Sequence, residues 1–422
     1  MLSFITGVLS TPAFILGIIA AIGLIALKKS GSDIIKGTLK TIFGFIMLQQ
    51  GANIIVNSLV PFSQIFESAF KLTGVIAEDN AIAAAVQNVL GTETSLILVF
   101  GFIVNVILAR ITKWKYIFLT GHMMFSFAAT MAIVLDQMGI YGWKAILLGS
   151  IIQGISSVLF PALAQPFVRK VTKNDNVGFG FWGSSLVWIS GWIGGKLGNK
   201  EHSAENMNVP KQLDFLKEMS ILMGIVMSVI YLVTSFFVDT KLMNELSGGQ
   251  SIALFAIMQA FTFVVGILVL LQGVRMFLGE LVPAFKGISE KLVPGAKPAL
   301  DIPIFYSFAP TATTIGFLFA LVGGLGATLI STMLPVVVLP SVIGLFFMGG
   351  AAGVFGNAMG GRRGAIIAGV VLGFTFQMIV ALAYPIINLS DYGISGLWFA
   401  STDAIIVTLL IRLIGSLFGI AI

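Results

Sequence analysis

The chain has 422 residues, of which 57% are hydrophobic and only 10% charged, with a formal net charge of +6 and a mean hydropathy of +1.02. Soluble domains carry roughly 25% charged residues, so this surface is built for lipid. The positive charges sit in short loops between apolar runs, which points to membrane topology and away from nucleic acid. With no cysteine and two histidines, disulfides, thiolate zinc sites, a cysteine nucleophile and a His-rich metal site are excluded, and no cofactor is expected.

About eleven apolar stretches of the chain are candidates to cross a bilayer, though several fall short of the ~20 residues of a straight span. They lie near 9–27, 37–58, 95–109, 116–135, 143–165, 220–239, 251–274, 310–331, 334–350, 364–386 and 398–420. The first lacks a basic flank and a small-residue cleavage pattern, so it reads as a span and not as a signal peptide. Lys28, Lys29, Lys36 and Lys40 separate spans one and two. Arg110, Lys113 and Lys115 separate three and four, and Arg169, Lys170 and Lys173 follow five. Positive-inside makes these loops cytoplasmic, which puts the N-terminus outside and, with eleven crossings, the C-terminus in the cytoplasm.

Four stretches do not fit simple spans: 61–93, with Glu67, Glu78 and Asp79; the Gly/Trp-rich 178–197; the charged 275–300; and the Gly-rich 349–361. Irregular backbone at membrane depth survives only when buried in protein or lining a wet cavity, so these are expected as hairpins or re-entrant segments. Residues 200–218 form the clearly aqueous loop.

The chain repeats itself. Gln50-Gly51 and Leu59-Val60-Pro61 match Gln272-Gly273 and Leu281-Val282-Pro283 at an offset of 222 residues, which also pairs Gly44 with Gly266 and Asp79 with Asp301. Five spans separate the copies in the count above, an odd number, so they are read as inverted across the membrane, an arrangement that places a transporter's substrate site at the repeat interface.

Among the motifs, Gly178-Phe179-Gly180-Phe181-Trp182-Gly183 spells GxGxxG but opens no βαβ unit, and Gly194-Gly195-Lys196 lacks the P-loop spacing, so neither is read as a nucleotide site. Gly349, Gly353, Gly356 and Gly360 are read as close helix packing. His122, near the start of the fourth span, is either a functional group, the default for an ionisable side chain in a membrane, or a neutral imidazole bonded to a carbonyl. His202 lies in the aqueous loop. Asp79 and Asp301 stand where mixed sequence meets apolar sequence, and a carboxylate there either accepts charge-assisted bonds from sugar hydroxyls or faces water.

The stretches DIIKGTLKTIFGFIMLQQG (33–51), WKYIFLTGH (114–122), QGVRMFLGELVPAFKGISEKLVPGAKPALD (272–301), YSFAPTA (306–312) and GVFGNAMGGRRGA (353–365) resemble the L-ascorbate-type IIC permease component of the bacterial phosphotransferase system. The resemblance runs along nearly the whole chain. It implies an all-α integral membrane protein, one unit over 1–422, with long bent dimerisation helices near 37–60 and 251–282. The remaining helices and hairpins form a core that carries the substrate by an elevator-like motion. It further implies a homodimer in the plasma membrane and substrate contacts at Asp79 and Asn80, at His122, Met123, Met124, Phe125 and Ser126, at Phe181 and Trp182, and at Asp301. Two positions depart from the family: Phe181 stands where histidine is usual, and Ser126 where relatives place Gln or Tyr.

The function implied is group translocation of L-ascorbate or a related sugar acid or polyol, phosphorylated by a separate cytoplasmic IIB subunit fed by IIA. Without cysteine and with no soluble domain expected after Ile422, the phosphoryl donor belongs to another chain, and this subunit is expected to be non-catalytic. An ion-coupled secondary transporter on the same inverted-repeat plan is the alternative. An intramembrane enzyme finds no catalytic constellation among two histidines and scattered carboxylates. Ascorbate is an anion at neutral pH. Asp79 and Asp301 would repel it if both faced it ionised, so either they accept from its hydroxyls or one is protonated.

Overall fold

The computed structural model describes residues 12–207 and 218–417. The start of the first apolar run, most of the second half of the aqueous loop and the end of the last run lie outside the described residues. Among the described residues, six helical stretches are long and apolar enough to cross a membrane: Gly31–Phe70, Gln87–Ile111, Gly142–Thr172, Ile252–Gly273, Pro310–Ser331 and Val342–Ile386.

The chain begins with α1 (Pro12–Ala26) and α2 (Gly31–Phe70). Ser30 starts α2, its Oγ accepting the Asp33 N–H at 3.2 Å, the usual N-cap arrangement. Lys71 ends it in the left-handed region at φ 56°. At 1.5 Å per residue α2 is about 60 Å long, twice the ~30 Å hydrocarbon thickness, and Pro61 sits inside it. After β1 (Gly74–Ala77) and the short α3 (Asp79–Ala85) come α4 (Gln87–Ile111), β2 (Tyr116–Phe118), α5 (Gly121–Gln137), α6 (Gly142–Thr172), β3 (Gly178–Phe179) and α7 (Ser184–Leu197).

The second half runs through α8 (Met219–Ser235), α9 (Thr240–Ser247) and α10 (Ile252–Leu292), a 41-residue helix with Pro283 inside it. It then passes β4 (Lys297–Leu300), α11 (Pro303–Tyr306), α12 (Pro310–Ser331) and β5 (Val337–Leu339). Next, α13 (Val342–Gly344) continues through a π-helical turn, Leu345–Gly349, into α14 (Gly350–Ala383). The described chain closes with β6 (Leu397–Trp398) and α15 (Thr402–Leu417).

The two long helices, α2 and α10, touch backbone to backbone. A Cβ on Gly51 would stand 2.6 Å from Leu270 Cα, and one on Gly273 would stand 2.8 Å from Gly44 O and from Leu48 Cα. Only glycine permits that approach.

Around the long pair, the other elements form a body ordered by two small parallel sheets. One has the order β5-β1-β6, with Gly74 paired to Val337 and Ile76 to Leu397. The other has the order β2-β4-β3, with Tyr116 paired to Lys297 and Gly178 to Ala299. Each sheet therefore takes its central strand from one half of the chain and both edges from the other. At the start of β4, Lys297 Nζ and Arg169 Nε meet Asp175 at 2.5 and 3.0 Å, and the bond from Lys297 holds the exposed Asp175 carboxyl below its usual range.

Several expectations change. The stretch 275–300 is not an independent segment: it continues α10 to Leu292 before β4 begins. The stretch 334–350 is not a span of its own but β5 plus the entry to α14. Residues 350–360 are helical, and the chain then reverses at Gly360-Gly361, so this stretch forms one arm and the tip of a hairpin, as expected of it. Their glycines lie against other backbones, Gly353 on Gly316 and Gly356 on Gly364, which is the packing role expected of them. The helix breaks only at Gly360-Gly361, where Gly361 takes φ +61°.

Candidate functional site

A cavity of about 230 Å³ opens where the tips of both sheets converge on α10. The β1–α3 junction contributes Glu78, Asp79 and Asn80, the start of α5 contributes His122 and Met123, and the β3–α7 turn contributes Phe181. Asp301 and Pro303 come from the β4–α11 junction, and Gly344, Phe347 and Met348 from the entry to α14. Leu271 and Arg275 face it from α10. Strand ends and the starts of short helices meet at this space, and irregular backbone at membrane depth is tolerated where it lines a cavity.

The three carboxylates are not equivalent. Glu78 caps α3: Oε2 accepts from Asn80 N–H (3.1 Å) and Ala81 N–H (3.2 Å), and Oε1 from Asn80 Nδ2 (3.1 Å). Asp79 ties this junction to the segment after β6. Its Oδ1 accepts from Ala400 N–H at 2.8 Å and its Oδ2 from Ser401 Oγ at 2.5 Å. Asp301 uses Oδ1 for the Ile302 N–H at 2.7 Å and holds Oδ2 3.7 Å from His122 Nε2. The Asp301 and His122 side chains are 34% and 20% exposed. The Asp301–His122 pair is thus the part of the carboxylate set with bonding capacity turned to the cavity.

Six of the ten expected site residues line this one space: Asp79, Asn80, His122, Met123, Phe181 and Asp301. The other four stand behind it. Ser126 is buried and donates to Asn80 Oδ1 at 3.3 Å. Trp182 is fully buried, stacks on Phe118 at 4.4 Å between centroids and donates Nε1–H to Met123 O at 2.8 Å. Phe125 meets Phe45 edge-on, and Met124 is buried.

Sequence reasoning missed Glu78, Arg275, Ser401 and Asp403 as members of this neighbourhood. Asp403 is fully buried at the start of α15, accepting from Ser184 Oγ at 3.0 Å and from Ser185 N–H at 3.3 Å. Its own N–H donates to Trp182 O at 3.1 Å. A run of hydrogen bonds therefore links the three turns at 78–80, 400–403 and 182–185. The sequence did carry one signal for Arg275: it is the first charge after the apolar stretch Ile252–Gly273.

The arrangement suits a small polyhydroxylated solute. It offers carboxylate and imidazole groups for hydroxyls, the Phe181 and Phe347 rings for an apolar face, and no nucleophile–base pair with a group to orient it. A family model described as the sugar-specific permease component of the PTS system matches residues 7–403. The ascorbate-specific PTS system EIIC component of Mycoplasma pneumoniae is 32% identical over 439 aligned positions, covering 90% of this chain. The chain spans 66% of that relative's length, just under two thirds.

Proposed function

Because the chain belongs to the sugar-specific permease family of the phosphotransferase system, we propose that it binds L-ascorbate or a related sugar acid or polyol in the cavity between Asp79 and Asp301. It delivers that ligand to the cytoplasmic face, where a separate IIB subunit, itself charged by IIA, phosphorylates it. The observation that carries the reading is the convergence of Asp79, Asn80, His122, Phe181 and Asp301 on one cavity. The relative's printed specificity makes ascorbate the first ligand to test.

An elevator is the transport mechanism that fits this organisation. The long α2–α10 pair is the scaffold. All polar lining except Arg275 comes from the sheet-bearing body, the part proposed to move. Inverted repeats are supported by equivalences at the offset of 222 residues: Pro61 in α2 with Pro283 in α10, and Asp79 after β1 with Asp301 after β4. The central strands of the two sheets correspond in the same way. A homodimer is supported by an exposed stripe on α10, Leu254, Met258, Phe261, Val265 and Leu268, at the alternating four-and-three spacing that seats one helix against another.

The basic loops carrying Arg110 and Arg169 are proposed to be cytoplasmic. The last helix then ends outside and not in the cytoplasm as eleven crossings would require. Arg412 Nη2 donates to Gln137 Oε1 at 3.0 Å, beside the start of α6, whose far end carries Arg169. The protein's own test is calorimetric titration of the detergent-purified protein with L-ascorbate. Saturable binding is expected. Its absence in a folded sample would break the substrate claim and leave the family membership standing.

A further inference from the structure

Five ionisable side chains line the cavity: Glu78, Asp79 and Asp301 on one account, His122 and Arg275 on the other. Glu78 and Asp79 each hold donors from their own framework, namely Asn80, Ala81, Ala400 and Ser401. His122 stands against Asp301. Arg275 is different. It is exposed, it lines the cavity, and among the described residues no hydrogen bond or ion pair engages its guanidinium.

A guanidinium stays charged at any accessible pH. Left without a partner in a protein built for lipid it is costly, and such groups mark substrate paths. The neighbouring carboxylates do not neutralise it by contact, because none comes within salt-bridge distance. It also sits on α10, an element that carries none of the other polar lining groups. A ligand filling the cavity has both the carboxylates and this cation in its lining.

We propose that Arg275 is the anion-recognising residue of the cavity. The site takes a polyhydroxylated monoanion whose hydroxyls donate to Asp301 and whose charged oxygen accepts from the Arg275 guanidinium. This resolves how a cavity with three carboxylates accepts an acid: two of them are occupied in bracing the turns, and the free arginine supplies the opposing charge. Planar, two-pronged donation from arginine matches a delocalised oxyanion. The inference rests on the permease reading and narrows its ligand from sugar acid or polyol to the charged class.

The test compares L-ascorbate with L-gulono-1,4-lactone, an uncharged saturated lactone of the same skeleton, by calorimetric titration of the full-length wild type, Arg275→Gln and Arg275→Lys. Wild type is expected to bind ascorbate at least about tenfold more tightly than the lactone, the ratio one charge-assisted bond supports. In Arg275→Gln that preference should collapse to within about threefold, through loss of ascorbate affinity with the lactone's unchanged. Arg275→Lys should restore part of it. A wild type that binds the lactone as tightly as ascorbate, or binds only the lactone, overturns the proposal while the permease reading stands. Parallel loss of both ligands in Arg275→Gln also overturns it, because a structural role does not discriminate by charge. Should Arg275→Gln not fold, the wild-type preference and its persistence in Arg275→Lys decide the matter. Binding of neither ligand by folded wild type removes the proposed substrate class itself, and this inference with it.

Discussion

Asp301 keeps one oxygen on the Ile302 N–H and turns the other toward His122, whereas Asp79 spends both oxygens on Ala400 and Ser401. The same chemical group therefore has two jobs, and substitution separates them. Asp301→Asn removes the charge that strengthens a hydroxyl donor. Charge-assisted bonds are worth about 1.5–3 kcal/mol, so ligand affinity should fall by about tenfold or more while the thermal midpoint stays near wild type. Asp79→Asn introduces an amide N–H₂ facing the Ala400 N–H or Ser401 Oγ, and leaving a buried donor unsatisfied costs about 1–3 kcal/mol. Its signature should be a lowered thermal midpoint, read in the same detergent sample without ligand. If Asp301→Asn binds normally, Asp301 leaves the site; if Asp79→Asn melts like wild type, the brace is not one. The residues behind the cavity show why a contiguous run was too generous. His122 and Met123 line the space, but each further helical residue turns by about 100°, which carries Met124 and Phe125 into packing; Ser126 returns to the face of His122 and is covered there by Asn80, to whose Oδ1 it donates. Trp182 follows Phe181 in an extended turn and faces the other way, onto Phe118.

At the scale of elements, the α2–α10 contact is the most sharply testable. At Gly51 the obstructing atoms are the Leu270 backbone, which cannot rotate away as a side chain would. Gly51→Val should therefore destabilise by at least the 1–3 kcal/mol typical of overpacking, seen as lower yield of folded protein and a lower thermal midpoint. Gly279→Ala, on the same long α10 with nothing within 4 Å of the added Cβ, should be neutral or slightly stabilising, since alanine is the better helix former by about 1 kcal/mol. Equal effects from both would show that glycine content, not close approach, governs this pair. The Gln-Gly and Leu-Val-Pro matches were legible because close backbone approach demands glycine at particular places and a proline inside a long helix stands out from its apolar neighbours. The far end of α10 was not: its charges read as a separate amphipathic segment, while the helix simply continues to Leu292. The strands were equally hidden. Three or four residues such as Val337–Leu339 are too few to show an alternating pattern, and they exist because the other half of the chain supplies a partner. The glycines at 349–361 signalled a hairpin correctly: Gly360-Gly361 turn the chain, and Gly356 and Gly364 let the two arms meet backbone to backbone, which offsets their weak helix propensity.

For the molecule as a whole, with the basic loops cytoplasmic as proposed, the hydrogen bonds between distant elements carry that proposed orientation to the last helix. Positive-inside alone, applied to eleven equal crossings, sends the C-terminal helix to the face opposite the proposed one, because it counts every apolar run as a full traverse. α15 has 16 residues and begins beside Trp182 and Ser184 at the buried sheet tips, so it covers only part of the thickness that ~20 residues would. Its end is fixed to Gln137 through Arg412. The absence of native cysteine makes the consequence cleanly measurable, since a single introduced thiol is the only one in the chain. Tyr141→Cys and Ser416→Cys should both react with a membrane-impermeant maleimide applied to intact cells. Asn176→Cys, beside the Arg169–Lys297–Asp175 cluster, should react only after lysis. Labelling of Ser416→Cys together with Asn176→Cys would detach the last helix from the face of Gln137 and restore an eleventh full crossing. Labelling with Tyr141→Cys means that the chain comes to β6 from the outer face and returns to that face through α15, mirroring α7, which leaves the other sheet toward the basic face.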